Sequence, residues 1–260
     1  MAAPEPEYYH PESTAAELRA AWELGAGLQA VDGLKPSKQA YELAEKVIEG
    51  RSTYHQIEAE LRANYEKNPQ ERDQLEADIS ATRIADIVST SSFSPFPGAL
   101  RAIHKRIFDG ILEKPEWAGE WRSELVGKPE PAIGGKTVAY DAPFQIEASL
   151  DELFRRQQPI FDDPAKDDRE AVNQVLRFIS GIWRVHPFRE GNTRTVATYA
   201  VLYLRHLGIE VTTDPFAKHA EYFRDALVLD NAPHRMGDKV PLLLFGAALL
   251  DGNTELNSLR

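Results

Sequence analysis

Residues 186 to 195 read HPFREGNTRT, a run whose residue types suit chemistry better than they suit a connector. His186 brings an imidazole whose ordinary pKa of about 6.5 lets it take a proton at neutral pH. Glu190 brings a carboxylate, the kind of ligand through which Mg²⁺ is held beside substrate phosphates. Gly191 permits a positive φ or a close backbone approach, and Asn192 or Thr193 is where a helix can begin. The exposed N–H groups of that first turn, with the helix dipole behind them, make an anion site. Arg194, one turn in, can present a forked charge to phosphate oxygens, and Phe188 is the apolar peg that fixes the loop to a core. These parts suit nucleotidyl or phosphoryl transfer to a hydroxyl. The plainer reading of His186, a histidine that only caps a helix, leaves Glu190, Gly191, Asn192 and Arg194 unexplained.

Such a loop works only if both flanks are anchored. Before it, Val172, Val175, Leu176, Ile179 and Trp183 recur at three- and four-residue spacing; after it, Val196, Tyr199, Ala200, Tyr203 and Leu207 do the same. Each spacing predicts a helix with one face in a core. The rest of the chain is punctuated in the same way. A capping box of Ser13 or Thr14 with Glu17 opens a helix running to Gly33, a second spans Ser37 to Gly50, and a third runs from Ser52 or Thr53 to Tyr65. Further helices are expected over 70–90, 99–112, 148–161, 168–185, 215–231 and 241–251. Only residues 126–147 depart from this pattern: Thr137, Val138 and Tyr140 among Gly, Pro and Asp predict a short β-hairpin flap. The polar break EKNPQER separates a small helical unit, residues 1–69, from a larger all-α domain, residues 70–260.

Composition bounds what such a site can serve. The 260 residues include no cysteine, which removes disulfides, thiolate metal sites and a cysteine nucleophile and suits a reducing, cytoplasmic setting. Forty-one acidic residues against 30 basic ones give a formal charge of −11, so a nucleic-acid partner is not expected. The longest apolar run, Val240 to Leu250, is about half of a bilayer span, and the first residues have neither a basic start nor an apolar core, so no membrane role or secretion signal is read. His104, among Ile103, Ile107 and Ile111, reads as structural. His10, His55, His206, His219 and His234 lack ligand-like spacing, so no zinc site is expected.

His186, Phe188, Glu190, Gly191, Asn192 and Arg194 match the signature HxFx(D/E)GNGRxxR, and the chain here resembles the Fic (filamentation induced by cAMP) domain proteins. Average residue usage would produce those six matches by chance about once in 10⁵ chains or more rarely. The likeness extends over roughly residues 80 to 250. Ala99 to Arg122, ALRAIHKRIFDGI followed by WAGEWR, resembles the preceding Fic helix, and GGKTVAYDAPFQIEASLDELF, Gly134 to Phe154, resembles the Fic flap. The resemblance implies a Fic-fold bundle that transfers AMP from ATP, with Mg²⁺, to a Ser, Thr or Tyr hydroxyl of a target protein. In that reading His186 is the general base, Glu190 holds the metal, and Gly191, Asn192, Thr193 and Arg194 bind the nucleotide. Lys136, Thr137 and Val138 of the flap bind the target by strand addition. Tyr222 resembles a position beside the adenine. A toxin-like or regulatory role and a homodimer are further implications.

Two positions depart from the signature. Thr193 stands where the family has the second glycine of GNG, and Ala197 where it has a second arginine that orients the γ-phosphate. Losing that contact costs about 1.5 to 3 kcal/mol, so a slow enzyme, another donor nucleotide, or a Fic-fold module that binds nucleotide or protein without transfer are the alternatives. A metal-dependent hydrolase that removes such groups would also use His186 and Glu190. The stretch from Leu28 to Leu61 resembles the small antitoxin module fused in front of some Fic toxins. Its inhibitory motif, (S/T)xxxE(G/N), falls on Leu28, Asp32 and Gly33, without the Ser or Thr and with a shorter acid. With Ala197 offering no cation, the N-terminal unit is expected to pack on the domain without placing Asp32 in the phosphate site.

Overall fold

The computed structural model of the chain describes residues 13–67, 72–89, 93–233 and 237–260. The expected boundary at residues 69 and 70, and His10 and His234, lie outside them. Helix α1, Ala15–Gly27, opens on the expected capping box: the Thr14 side chain accepts from Glu17 N–H, and the Glu17 carboxylate accepts from Thr14 N–H at 2.7 Å. The chain then tightens into a 3₁₀ turn, Leu28–Asp32, and stops at Gly33 with φ 72°. Ser37 caps α2, Lys38–Ile48, and a Thr53/Gln56 box opens α3, Tyr54–Tyr65. Helix α4, Arg72–Ser89, lies against α1 and α3 on one side and against α5, Pro97–Phe108, on the other.

Helices α6, Ile146–Asp162, α7, Asp168–Val185, and α8, Asn192–His206, follow. The stretch expected as one helix over 215–231 is two, α9, Asp214–Lys218, and α10, Ala220–Asp230, because His219 leaves helical geometry. Helix α11, Val240–Asp251, completes the fold. All-α is therefore the observed class, and among the described residues there is no β-strand. The expected hairpin is reduced to one antiparallel bridge, Glu130 with Lys136, closed around a 3₁₀ turn at Pro131–Ile133. Pro129 and Pro131 have no N–H to give, so a ladder cannot extend beyond that bridge.

The core explains why the loop before α8 is held so firmly. Val172, Val175, Leu176, Ile179 and Trp183 of α7 are buried, as their spacing requires, and α8 is buried along nearly its whole length, Asn192 to Leu204. Helix α8 is thus a central rod, packed by α4, α5, α7 and the Leu28–Asp32 turn. One hydrophobic core runs from Leu24 and Leu61 through Ile84 and Leu100 to Tyr199 and Phe245. Contact between α1 and α9 is close enough that a Cβ on Gly27 would lie 2.0 Å from the Ala217 carbonyl oxygen. No helix among the described residues is long and apolar enough to cross a membrane.

Candidate active site

Helix α7 ends at His186, which sits at φ 52° and is the one described non-glycine residue with positive φ. Its N–H still donates to the Ile182 and Trp183 carbonyls, but its own backbone turns out of the helix. The imidazole lies against Tyr140, ring centroids 4.0 Å apart, and Trp183 approaches edge-on at 5.6 Å. Burial holds the imidazole neutral, depressing its pKa to about 3, and Lys128, Arg122 and Arg224 push the same way. Nδ1 is buried and without a hydrogen-bond partner, which leaves Nε2 for a reactant. The Tyr140 hydroxyl donates to Glu130, which is itself buried and paired with Arg224.

Two residues on, the loop is pinned from beneath. Phe188 is fully buried and stacks on His104, centroids 3.8 Å apart and planes 11° apart. His104 accepts the Gly119 N–H at Nδ1, 2.9 Å, so its Nε2–H faces the Glu190 carbonyl at 3.1 Å. Burial keeps this second imidazole neutral too, with a pKa depressed to about 3. Glu190 is exposed as a residue, but its carboxyl faces the cavity, where partial burial and the nearby Glu76 raise its pKa. Gly191 is required twice over: its φ is 70°, and a Cβ there would meet the Phe108 ring at 2.4 Å.

Helix α8 starts at Asn192 with Gly191 at the cap and no side-chain cap. Its first-turn N–H groups therefore remain available for an anion, and the turn lines a cavity of about 490 Å³ with His186, Glu190, Tyr140, Lys128 and Asp32. The side chains of that turn are already engaged. Asn192 closes on the Phe188 backbone, accepting from its N–H at 3.0 Å and donating to its carbonyl at 2.8 Å. The Thr193 hydroxyl accepts from Trp183 Nε1 at 3.0 Å.

Arg194 is the largest departure from expectation. It is 2% exposed, and both of its Nη nitrogens are hydrogen-bonded. Nη1 donates to Gln29 Oε1 at 3.0 Å and Ser80 Oγ at 3.3 Å, Nη2 donates to Glu76 Oε1 at 2.6 Å, and the ring of Phe108 lies 4.7 Å from its carbon. Nε stands 2.9 Å from Asp32 Oδ2, an ion pair without an aligned N–H. The expectation that Asp32 would find no cation is corrected. Asp32 meets Arg194, because the 3₁₀ extension of α1 and α4 bring two carboxylates, Asp32 and Glu76, to the start of α8. Ala197 itself is fully buried, so an arginine there would have to displace core.

The remaining expected residues separate. Tyr222 is 6% exposed, stacks on Phe245 and donates to the Pro241 carbonyl, away from the cavity. Its place in the apolar face of α10 is what its spacing with Phe223 and Ala226 describes. In the flap, Lys136 and Thr137 are exposed while Val138 is buried as an anchor. Tyr140, Lys128, Glu76 and Arg122 take part in the site without any signal of spacing to reveal them. A metal fits the donor set: Glu190 is a cavity carboxylate with no ion pair among the described residues, and Mg²⁺ is commonly held by one or two carboxylates with substrate phosphates and water. No group of three or more His, Cys, Asp or Glu among the described residues forms a closed metal cage.

Residues 96–204 match the Fic/DOC family. A curated relative, "Probable protein adenylyltransferase y4lH" of Sinorhizobium fredii (strain NBRC 101917 / NGR234), is 29% identical over 143 residues, 55% of this chain and 66% of that protein, just under two thirds of its length. Among solved structures, the BepC protein of Bartonella tribocorum, a VirB-translocated effector with bound AMPPNP, superposes with a TM-score of 0.53 at 16% identity, over 70% of this chain and 87% of that one. The N-terminal Fic domain of a cell filamentation protein of Bartonella quintana gives 0.52 at 21% identity, over 70% and 83%. At such identities these two establish likeness of fold alone. The span that matches the Fic/DOC family runs from the first turn of α5 to the body of α8 and holds His186, Glu190 and the uncapped turn.

Proposed function

We propose that this protein transfers AMP, or a related nucleotidyl group, from a nucleoside triphosphate such as ATP to a Ser, Thr or Tyr hydroxyl of a target protein. One observation carries the reading: a neutral imidazole, an unpaired carboxylate and an uncapped helix N-terminus line the same cavity. His186 takes the target hydroxyl's proton at Nε2 as that oxygen forms its bond to the α-phosphorus. The bond from the α-phosphorus to the bridging oxygen breaks, and pyrophosphate leaves. The first-turn N–H groups of Asn192, Thr193 and Arg194 meet the phosphates, and the αL turn at Gly191 keeps them accessible. Glu190 would hold Mg²⁺, which when bound neutralises phosphate charge. Phosphate anions entering beside His186 raise its proton affinity from the low value that burial imposes. The exposed Lys136 and Thr137, with Val138 anchored inward, would take the target along its main chain.

The engagement of Arg194 favours a second reading, a module that binds nucleotide or protein without transfer. Incubation with Mg²⁺ and each of four α-³²P-labelled nucleoside triphosphates in cell lysate, followed by a denaturing gel, separates the two. Label that wild type deposits on protein and that His186→Ala does not deposit supports transfer and names the donor. Absence of label from every donor, with nucleotide binding intact by calorimetry, overturns transfer and leaves the binding module.

A further inference from the structure

His186 occupies a backbone conformation that glycine adopts far more readily, and its buried Nδ1 makes no hydrogen bond that would hold it there. What meets its backbone is Arg122. This residue is 5% exposed, lies 64 positions earlier in the chain, and directs its guanidinium wholly at main-chain carbonyls. Nε donates to the His186 carbonyl at 2.7 Å, and Nη2 reaches the Val185 carbonyl at 3.3 Å. Nη1 donates to the Glu124 carbonyl at 2.6 Å, and Nη2 also donates to the Asp141 carbonyl. The Arg122 N–H donates to the Pro187 carbonyl at 2.9 Å. No carboxylate forms an ion pair with Arg122 among the described residues; the nearby Asp141 carboxylate is bound by Arg184 at 2.6 Å.

A buried cation without an anion is destabilising unless carbonyl dipoles replace that anion. Here the negative end of α7 supplies two of those dipoles, at Val185 and His186. The other dipoles come from both sides of the flap, at Glu124 and Asp141. We propose that Arg122 is the positioning residue of this site, holding the His186 backbone in its left-handed turn and tying that turn to the flap at Asp141. The role of His186 as base rests on the proposed function, whereas the conformation Arg122 imposes does not. The test therefore reads the histidine itself.

In isotope-labelled protein, the HN–Hα coupling and the Cα and Cβ shifts of His186 report its φ, and its ring shifts report its titration. Arg122→Gln is expected to move His186 out of positive φ, to shift the flap amides from Tyr140 to Ala142, and to lift the ring midpoint from about 3 towards 6.5. Lys128→Met removes a neighbouring charge without touching the backbone, so it is expected to lift the midpoint and leave φ alone. Arg122→Gln behaving like Lys128→Met, with φ unchanged, overturns the proposal, because Arg122 would then act only as a charge. Arg122→Lys, which keeps the charge and loses the fork, is expected to behave as Arg122→Gln does in φ. If neither Arg122 variant folds, the wild type decides: a slowly exchanging Arg122 Nε–H in contact with His186 supports the proposal, and a rapidly exchanging one overturns it.

Discussion

The two ends of the HPFREGNTRT loop are held by different physics. At the His186 end the contacts are to the main chain and between rings: Arg122 donates to the His186 carbonyl, and Tyr140 and Trp183 flank a neutral imidazole. At the Arg194 end the polar partners are side chains, Gln29 and Asp32 from the 3₁₀ turn after α1 and Glu76 and Ser80 from α4. Dipoles and packing fix the first end without an ion pair. Charge pairing fixes the second, and a competing anion can contest it. The His186 imidazole is set by its own surroundings, whereas the Arg194 cation is held by the Leu28–Asp32 turn and α4.

The largest effect should come from the preorganised end. His186→Ala is expected to lower transfer by about 10² to 10⁴-fold with unfolding temperature and nucleotide affinity nearly unchanged. Residual label above a tenth of the wild-type level would move the base elsewhere. Next, Gly191→Ala combines a positive φ with a clash against Phe108 and should cost about 3 kcal/mol of stability, read as a lower denaturation midpoint. A neutral result would mean that the loop is softer than the contrast between its ends requires.

The third effect is a dependence on pH. His186 and His104 both have folded pKa values near 3, below their ordinary 6.5, so the unfolded chain binds more protons between those values. Their contribution is intact above pH 6.5 and is lost as pH falls, on the order of 2 kcal/mol each at pH 5. The fall in stability from pH 7 to pH 5 should therefore be shallower in His104→Gln than in wild type by chemical denaturation. Equal slopes would place a charged or solvated imidazole in the site. The smallest effect belongs to the ion-paired end. The Asp32 side chain is 37% exposed, so Asp32→Asn should cost under about 1 kcal/mol of stability and strengthen nucleotide binding less than about tenfold by calorimetry. Weaker binding would show that Asp32 assists the nucleotide and does not compete with it.

What could be read from the sequence was what has a short range. Thr14 with Glu17, Ser37 and Thr53 with Gln56 mark helix starts because a cap and its partner are three residues apart. The period of α7 and α8 is visible because one face is buried, and the loop between them is legible because its chemistry is contiguous. The relations that shape the site span the chain: 64 residues from Arg122 to His186, 86 from His104 to Glu190, 118 from Glu76 to Arg194. None of these leaves a spacing pattern, so nothing in the sequence singles out Arg122 or Glu76 for the site, and His104 reads only as structural. The flap misled for a local reason: Thr, Val and Tyr spoke for a strand, but the prolines before them withhold the donors a second strand would need.

The close approach of α1 to α9 at Gly27 decides which route can release Arg194. Undocking α1 would expose Trp22, Leu24 and Leu28 and open the core along α4, a sub-global unfolding event on a timescale of microseconds to seconds. Swinging Asp32 out of the cavity asks only for side-chain rotation at the rim of a 3₁₀ turn, which takes nanoseconds. That rotation removes only the Asp32 contact of Arg194; its bonds to Gln29, Ser80 and Glu76 stay until the slower event.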